Sequence, residues 1–380
     1  MANDKDFIVK NAVEVGKDTK VTLGTITSSN IDLSTGNYFN DTLAANTTYT
    51  ISNAGDVQSF QLEVTGGLDL YNAYNLATIT EVYATASSLS VPSQFWLSSD
   101  GTTLYEVNRG ATSYIQTKTL STAYDISTIS GVVDQFTLSD NGGYVNGAFI
   151  GNNGYALYAV DQTSDRVYQY TMTTAYDITT ASSASKNLLV SGQDTVPTGL
   201  WFKPDGTEMY LTGDSSDDIH QYTLSTAWDV STGSFTRTNV LNHTNTGAPF
   251  FTDDGVYMFT SDANDDEVRR YTLTTPWDIS TAGSLLSFDA TVYEGASGLG
   301  SRCNYLSPDG AYLYIVDNGT DKYYQFRMAS VATLTWPSSI EWAGGAAPAA
   351  PASGETDLFT ISTDDGGTTY HGFKTADNLS

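Results

Sequence analysis

Paired aspartates are the residues with the clearest chemistry in this sequence of 380 residues. They recur along the chain as Asp161 and Asp165, Asp214 and Asp217, Asp262 and Asp266, and Asp317 and Asp321. Carboxylate oxygens are the ligands that Ca²⁺ prefers in proteins, so Asp214, Asp217, Asp262 and Asp266 are the candidate ligands of a Ca²⁺ site. Aspartates also form turns by accepting hydrogen bonds from the nearby backbone. No twelve-residue calcium-loop pattern is present, so the spacing favours the turn interpretation, and no other cofactor is expected.

Residue patterns for catalysis are few. The three histidines, His220, His243 and His371, stand in different parts of the chain and lack the spacing of zinc ligands. There is neither a glycine-rich phosphate loop nor a nucleophile-elbow motif. The sequence therefore offers no motif for zinc-dependent, phosphate-binding or serine-based chemistry.

A phrase of the type Leu-Ser-Thr-Ala-Tyr-Asp-Ile-Ser-Thr recurs about every 50 residues, which is the self-similarity of a repeat protein. It stands at 120–128, 172–180, 224–232 and 273–281, with a degenerate copy at 70–78. Short alternating runs lie between the copies, separated by Asp-Gly or Asn-Gly turns at Asp100, Asn153, Asp205, Asp254 and Asp309. Alternation bounded by turn residues predicts strands. Five such repeats predict an all-β fold with a five-bladed β-propeller.

The two incomplete repeats predict how the ring closes. The first copy lacks the strands that should precede residue 70, and the last repeat stops near residue 328, before its phrase should begin. The two fragments are complementary, so we expect the strand at 79–83 to pair with 323–328 and to close the ring. Chain entry and chain exit then meet in one blade, which is the arrangement of a domain inserted into another.

The flanking segments predict that second domain. Strand-like runs lie at 31–39, 48–52 and 60–64, and again at 332–336, 340–342, 358–362 and 369–373. We expect a small antiparallel β-sandwich from 29–66 and 330–380, with 60–64 beside 332–336. Its shared core should contain Tyr38, Phe60, Trp336 and Phe359. Residues 1–28 are expected to form an N-terminal arm, and residues 67–329 the propeller.

The predicted inner strands, which are the first strand of each blade and line the centre of the propeller, lack the acidic residues that a glycosidase would need. Glycosidases need two carboxylates roughly 5–10 Å apart. The inner strands, at 94–97, 146–150, 198–202, 247–251 and 302–306, contain neither Asp nor Glu. We therefore predict a protein without catalytic activity. The repeated aromatic residues, Tyr124, Tyr176, Trp228 and Trp277, are interpreted as wedges between blades, because a ligand seldom needs a copy in every repeat.

Variable loops lead into the inner strands, and in a four-stranded blade these loops share one face of the ring. Binding normally resides in variable loops held by a rigid scaffold. Asp194, Asn242, Asn245 and Glu294 are therefore the candidate contacts with a surface receptor or glycan.

Charge limits the class of partner. Forty-three acidic residues against sixteen basic ones give a formal net charge of −27. This excess argues against binding to nucleic acid or to an anionic membrane surface. The first ten residues are charged and lack the apolar core of a secretory signal. No apolar run is long enough to span a membrane.

The repeated phrase with its Pro-Asp-Gly turn resembles the propeller repeats of virion structural proteins from marine tailed phages and of some marine bacterial proteins. The flanks resemble a small β-domain of phage appendage proteins, on the segments 31–39, 47–52, 335–342 and 365–372. In that family the small domain usually runs without interruption, whereas here the ring replaces one of its hairpins. The resemblance implies a head or tail appendage, fibre or decoration protein made in the host cytoplasm and carried on the virion. Its implied partners are other virion proteins, further copies of the chain and a host-surface glycan or receptor.

Three functions of different classes stay open at this point. The first is a virion structural protein whose small domain attaches and whose propeller faces outward. The second is a carbohydrate-binding propeller of lectin type, and the third is an enzyme that degrades surface polysaccharide. Binding to glycan arrays separates the first two, and incubation with polysaccharide tests the third.

Overall fold

The computed structural model describes residues 21–43, 45–66, 68–69, 74, 76, 79–139, 143–241, 243–290, 301–317, 319–328, 330–351, 355–377 and 379. Strands and single 3-10 turns build this part of the chain, which confirms the all-β fold class. The 3-10 turns are Ile126–Thr128, Asn152–Gly154, Ile178–Thr180, Val230–Thr232 and Ile279–Thr281. Within the described residues, no helix has the length and apolar character needed to cross a membrane. The chain divides into two compact units, Tyr74–Met328 and the residues on either side of that segment.

The flanking unit is a set of short strands around one mixed sheet. Its N-terminal strands are β1 (Ile26–Thr27), β2 (Asn30–Asp32), β3 (Tyr38–Thr42), β4 (Thr47–Thr48), β5 (Thr50–Ser52), β6 (Gln58–Thr65) and β7 (Leu68–Asp69). Its C-terminal strands, numbered after those of the other unit, are β28 (Ser330–Val331), β29 (Leu334–Thr335), β30 (Ile340–Trp342), β31 (Thr356–Thr363) and β32 (Tyr370–Ala376). The largest sheet has the order β3-β6-β31-β32-β30, and smaller sheets join β1-β2-β5, β7-β28 and β4-β29.

Strand direction in this unit differs from the antiparallel sandwich that the sequence predicts. Four of the pairings are parallel: β3 with β6, β2 with β5, β4 with β29, and β30 with β32. The predicted neighbours 60–64 and 332–336 are also wrong, because β6 lies between β3 and β31 while β29 pairs with β4. Alternating hydrophobicity specifies which face of a strand is buried. It does not specify which strand lies beside it or in which direction.

The core of the flanking unit follows the alternation of β6 and β31. Phe60, Trp336 and Phe359 are buried together, as predicted. Tyr38 is only half-buried, and its hydroxyl donates to Glu63 on the neighbouring strand. The adjacent Phe39 occupies the core instead. The prediction for Tyr38 is therefore wrong by one residue, which in a strand exchanges the two faces.

The other unit consists of five four-stranded antiparallel sheets, numbered in chain order. Sheet 1 contains β9 (Pro92–Leu97), β10 (Thr103–Asn108), β11 (Tyr114–Leu120) and β12 (Ile129–Thr137); sheet 2 contains β13 (Val145–Gly151), β14 (Ala156–Asp161), β15 (Arg166–Thr171) and β16 (Lys186–Leu189). Sheet 3 contains β17 (Pro197–Phe202), β18 (Glu208–Gly213), β19 (Asp218–Leu224) and β20 (Gly233–Val240). Sheet 4 contains β21 (Phe250–Phe251), β22 (Tyr257–Asp262), β23 (Glu267–Leu273) and β24 (Ala282–Asp289).

Sheet 5 is assembled from both ends of the unit. Its strands are β25 (Ser301–Leu306), β26 (Tyr312–Asp317), β27 (Lys322–Arg327) and, from the N-terminal side, β8 (Thr80–Ala86). The strand β8 runs antiparallel to β27, with Tyr83 opposite Gln325. This pairing confirms the prediction that the strand at 79–83 lies beside 323–328. Outside this unit, β7 and β28 pair with each other where the chain approaches and leaves it.

The repeated aromatic residue of each phrase lies over the glycine of a turn in the same sheet. Tyr74 lies on Gly310, Tyr124 on Gly101, Tyr176 on Gly154, Trp228 on Gly206 and Trp277 on Gly255. Each of the five aromatic residues has a positive φ, between 60° and 66°. Each backbone N–H donates to the carbonyl of that glycine, at 2.8 to 3.1 Å. The phrase is therefore a fixed corner that ties the third and fourth strands to the first turn.

A second hydrogen bond links each corner to the preceding sheet. Its carbonyl oxygen accepts from a tyrosine hydroxyl at a constant register position of that sheet's second strand. The pairs are Tyr105 to Tyr176 (3.1 Å), Tyr158 to Trp228 (2.7 Å), Tyr210 to Trp277 (2.6 Å) and Tyr314 to Tyr124 (2.6 Å). Phe259 stands at this position in sheet 4, and there Arg270 donates to the Tyr74 carbonyl at 2.7 Å. Since Tyr314 of sheet 5 bonds to sheet 1, the five sheets form a closed cycle of contacts.

Replacement of Gly206 should destabilise the corner. Gly206→Ala places a Cβ within about 2.5 Å of the Trp228 ring at a φ of +71°. We expect a loss of about 1–3 kcal/mol in the free energy of unfolding, measured by urea denaturation. Gly192→Ala is the matched control, because nothing lies within 4 Å of its added Cβ, and it should change stability by less than about 1 kcal/mol. Equal effects of the two substitutions would contradict this account of the corner.

Candidate functional site

Five aromatic side chains surround the centre of the five-sheet unit. They stand at one register position of the first strand of each sheet, each opposite the second-strand tyrosine or phenylalanine already described: Trp96, Phe149, Trp201, Phe250 and Tyr305. The ring of Trp201 lies 5.1 Å from Phe149 and 4.8 Å from Phe250, and Phe250 lies 5.7 Å from Tyr305. Trp96 stacks flat on Tyr105 at 5.2 Å. We call these five residues the aromatic girdle.

The girdle encloses a cavity of about 290 Å³. Gln94 and Asn304 line it toward the start of the first strands, while Ser98, Thr252 and Asp253 line it beyond their ends. The cavity therefore extends toward the turns that follow the first strands. These are the turns that carry the repeated Asp-Gly sequences. Only Asp253 supplies a carboxylate to the described lining, and that side chain is exposed.

Polar side chains join neighbouring first strands on the other side of the girdle. Gln94 accepts a hydrogen bond from the Ala148 backbone at 2.6 Å, and Asn146 donates to the Pro197 carbonyl at 2.8 Å. Thr198 continues the series by donating to the Thr246 carbonyl at 2.6 Å. These bonds span three of the contacts between sheets, so they give the aromatic cavity a fixed polar floor.

Three donors in the girdle are free for a ligand. The Trp96 and Trp201 indole N–H groups and the Tyr305 hydroxyl make no hydrogen bond within the described part of the chain. Tyr305 is 8% exposed, and burial raises the pKa of its hydroxyl above its ordinary value. The group therefore stays protonated and able to donate at neutral pH. Burial also raises the pKa of Tyr105, which supports Trp96, to about 12.

Two of the predicted ligand contacts, Asp194 and Asn245, have structural roles. Asp194 is 1% exposed, and its carboxylate accepts from the Val196 and Ser216 backbone at 2.6 and 2.9 Å. The backbone N–H of Asn245 donates to Asp217 at 2.8 Å. In the orientation that satisfies its amide, its side chain donates to Asp214 at 2.7 Å.

The prediction that Asp194 contacts a receptor is therefore wrong, because its carboxylate is buried and used within its own loop. Both Asp194 and Asn245 lie in loops that lead into first strands, at the opposite end of those strands from the cavity turns. The other two predicted contacts, Asn242 and Glu294, lie outside the described residues.

Asp194 replaces a carboxylate that three of the other four repeats carry at the end of their second strand. The last residue of the second strand is Asp161, Asp262 and Asp317 in sheets 2, 4 and 5, and it is Gly213 in sheet 3. Asp161 accepts from the Thr163 backbone at 2.8 Å, which holds the following hairpin. A Cβ on Gly213 would lie 2.0 Å from the Asp194 carboxyl carbon. Asp194 therefore occupies the missing position from a different loop.

The predicted cation ligands also belong to turns. Asp217 and Asp266 have positive φ angles of 57° and 54°, as turn residues do. Asp262 is buried and accepts from the Thr244 and Asn264 backbone, each at 3.1 Å. Among the described residues, no group of three or more His, Cys, Asp or Glu side chains could hold a metal ion. The predicted Ca²⁺ site thus has no ligand set in this part of the chain.

A buried ion pair in sheet 1 was not predicted. Glu106 and Lys118 lie 2.9 Å apart with side chains 0% and 6% exposed. Gln116 and Tyr323 of sheet 5 both donate to the Glu106 carboxylate. At the register position of Glu106 the other sheets carry Ala159, Leu211, Thr260 and Ile315, and at that of Lys118 they carry Tyr170, Tyr222, Tyr271 and Phe326. Both members of the pair therefore depart together from the repeat, and they do so at the contact with the sheet that closes the cycle.

No family model matches this sequence, and neither does any curated protein. Similar solved structures include a provisionally assigned 6-phosphogluconolactonase of Bacteroides uniformis, 14% identical with a TM-score of 0.44 over 70% of this chain and 90% of that one. The periplasmic gluconolactonase of Pseudomonas aeruginosa is 18% identical with a TM-score of 0.37 over 63% and 68%. A β-propeller domain of Myceliophteria thermophila is 12% identical with a TM-score of 0.38 over 62% and 82%. Likenesses at this level carry no argument about activity.

The Glu106–Lys118 pair gives a double-mutant prediction. Glu106→Leu alone leaves a buried ammonium group without its carboxylate and should cost about 3–5 kcal/mol of unfolding free energy. Glu106→Leu with Lys118→Tyr installs the residue pair of sheet 3, Leu211 and Tyr222, and should restore stability to within about 1 kcal/mol. Urea denaturation of Glu106→Leu, of Lys118→Tyr and of the double variant measures the coupling. Additive losses would show that the two residues do not act as a pair.

Stability below neutral pH should depend on His243. Burial, with a further contribution from Arg269, lowers its pKa to about 4 from an ordinary 6.5. The unfolded chain therefore binds more protons between these values, and stability falls as pH falls through this window, by at most about 1.4 kcal/mol per pH unit. His243→Gln should flatten this slope in urea unfolding measured from pH 7 to 4. His371→Gln, at a side chain 47% exposed, should leave the slope unchanged; a wild-type slope in both variants would refute the assignment.

Proposed function

We propose that this chain is a display protein without catalytic activity. In this proposal the closed cycle of sheets is a five-bladed β-propeller that binds a target at a surface. The flanking unit is a small β-domain that carries the propeller and attaches it to a larger assembly. The resemblance of both parts to phage appendage proteins makes a tailed-phage virion the assembly we propose, with other virion proteins and further copies of this chain as partners.

The junction is the observation that carries the proposal. The chain approaches the propeller through β7, places β8 in sheet 5, and returns from β27 of the same sheet to β28, which pairs with β7. A unit whose two ends meet in this way can be carried by another domain without strain in either. This arrangement supports a role in which the flanking unit carries the propeller.

The cavity supports binding rather than hydrolysis. Its described lining offers aromatic rings, three free donors and a single carboxylate, Asp253. Glycoside hydrolysis through an acid and a second carboxylate requires a pair roughly 5–10 Å apart. Ser216 does approach His220 at 3.1 Å, but Asp194 bonds to the serine and not to the histidine. A serine nucleophile is activated by a histidine that a carboxylate orients. Here the carboxylate contacts the serine, so the three residues cannot activate the serine as a nucleophile.

Removal of the propeller tests the carrier role. A chain in which a short Asn-Gly turn replaces Tyr74–Met328 should keep a strand-type circular dichroism spectrum and unfold cooperatively, because its core of Phe39, Phe60 and Phe359 lies wholly within the flanking unit. The matched control removes only sheet 3, residues 197–240, from the full chain. That control should lose cooperative unfolding of the propeller, because it breaks the cycle of contacts. An unfolded carrier in the first chain would count against insertion.

The virion role is tested on particles. Purified particles from an infection in which the chain is expressed should contain it in a constant ratio to the major capsid protein, measured by quantitative mass spectrometry. Antibodies against the propeller should label intact particles in electron micrographs. Expression in infected cells without incorporation into particles would exclude the virion role.

A further inference from the structure

We infer that the aromatic cavity is a binding site for one neutral pyranose ring of a surface glycan. The inference rests on the proposed role of the propeller as the binding part of the chain, and it adds a site and a ligand class that the loops named from the sequence do not provide.

Size limits the ligand to about one ring. Pockets for small molecules start at about 300 Å³, and this cavity has about 290 Å³. Its walls come from the first strands of five sheets, and polar side chains bond these sheets to one another at three of their contacts. Such a site is formed before the ligand arrives, so little ordering of side chains opposes binding.

The girdle matches a ring that is apolar on its faces and polar at its edge. Aromatic rings offer flat apolar surface with negative charge on the face, which suits the C–H groups of a sugar ring. The free polar groups of the girdle are the indole N–H of Trp96 and Trp201 and the hydroxyl of Tyr305. All three donate in their ordinary state, so the ligand must supply acceptor oxygens.

This donor set argues against two other ligands. An aromatic cage with an acidic mouth attracts organic cations such as choline. The quaternary ammonium group of such a cation accepts no hydrogen bond, and the single hydroxyl of choline could satisfy at most one of the three girdle donors, so binding would leave donors unpaired at a cost in free energy. A purely apolar ligand fails for the same reason.

Charge excludes an anionic sugar. No lysine or arginine lines the described cavity, Asp253 lies at its mouth, and the whole chain carries a formal net charge of −27. A carboxylated or sulfated ring would be repelled on approach and would find no cation inside. A neutral pyranose satisfies the free donors, and its hydroxyl groups can donate to Asp253.

Tryptophan fluorescence of the full chain measures the binding directly, because two of its six tryptophans belong to the girdle. The probes are the methyl glycosides of glucose, galactose, mannose and N-acetylglucosamine, each titrated to tens of millimolar. Methyl glucuronide and choline chloride are the anionic and cationic controls. We expect a saturable change with at least one neutral glycoside and none with the two controls. No saturable change with any neutral glycoside, or a change with choline alone, would overturn the inference.

Variants locate the site. Tyr305→Phe keeps the ring and removes one donor, and it should weaken binding about three- to tenfold. Trp201→Leu removes an aromatic wall and should weaken binding more than tenfold. Trp228→Phe, at a corner tryptophan outside the cavity lining, should bind like the unmodified chain. Circular dichroism checks that each variant is folded.

Binding that survives both girdle variants would place the sugar elsewhere and refute the inference. Failure of sugar binding together with incorporation of the chain into virions would refute the cavity assignment alone. Absence from virions with intact sugar binding would refute the proposed assembly and leave the cavity assignment standing.

Discussion

The hydrogen bond from a side chain of one sheet to the carbonyl of the next aromatic corner is the contact on which the arrangement of the sheets depends. In four of the five contacts the donor is a tyrosine hydroxyl, and in the fifth it is Arg270. The corner residue can present its carbonyl because its φ is positive, and it can lie flat because the residue beneath it is glycine. One local backbone conformation therefore fixes the geometry within a sheet and between sheets together.

The contacts that hold the sheets together lie away from the girdle, and this explains why the central cavity is aromatic and has few charged groups. The corners and second strands hold the sheets together, so the girdle position of each first strand is free of that role. Four of the large rings at this position pack on one another from sheet to sheet, and Trp96 stacks on Tyr105 of its own sheet, which keeps the cavity rigid. The charged pair Glu106–Lys118 lies instead within sheet 1, at its contact with Tyr323 of sheet 5, and it distinguishes this contact from the other four.

The sequence predicted those features that repetition or complementarity makes visible. The pairing of β8 with β27 could be predicted because the two incomplete repeats complete each other. Asp194 was misinterpreted because its structural role depends on the absence of a carboxylate at Gly213, a position distant in sequence. Tyr38 and Phe39 are adjacent aromatic residues, and alternation alone does not decide which of them faces the core. The girdle stood at a constant distance before each turn, and this spacing was the available signal for the cavity.

The composition of sheet 5 also has a consequence for the order of synthesis. Ser87, next to β8, bonds to Tyr323, which follows it by 236 residues. The ribosome therefore delivers β8 first, while each of sheets 1 to 4 becomes complete within its own repeat. Chains fold from the N-terminus as they emerge, so sheets 1 to 4 can form before β27 is synthesised. During that time β8 has no partner strand, and its backbone hydrogen-bonding groups are exposed. Sheet 5 is therefore the last of the five sheets to be completed, because its strand β27 emerges only when translation of the five-sheet unit is almost over.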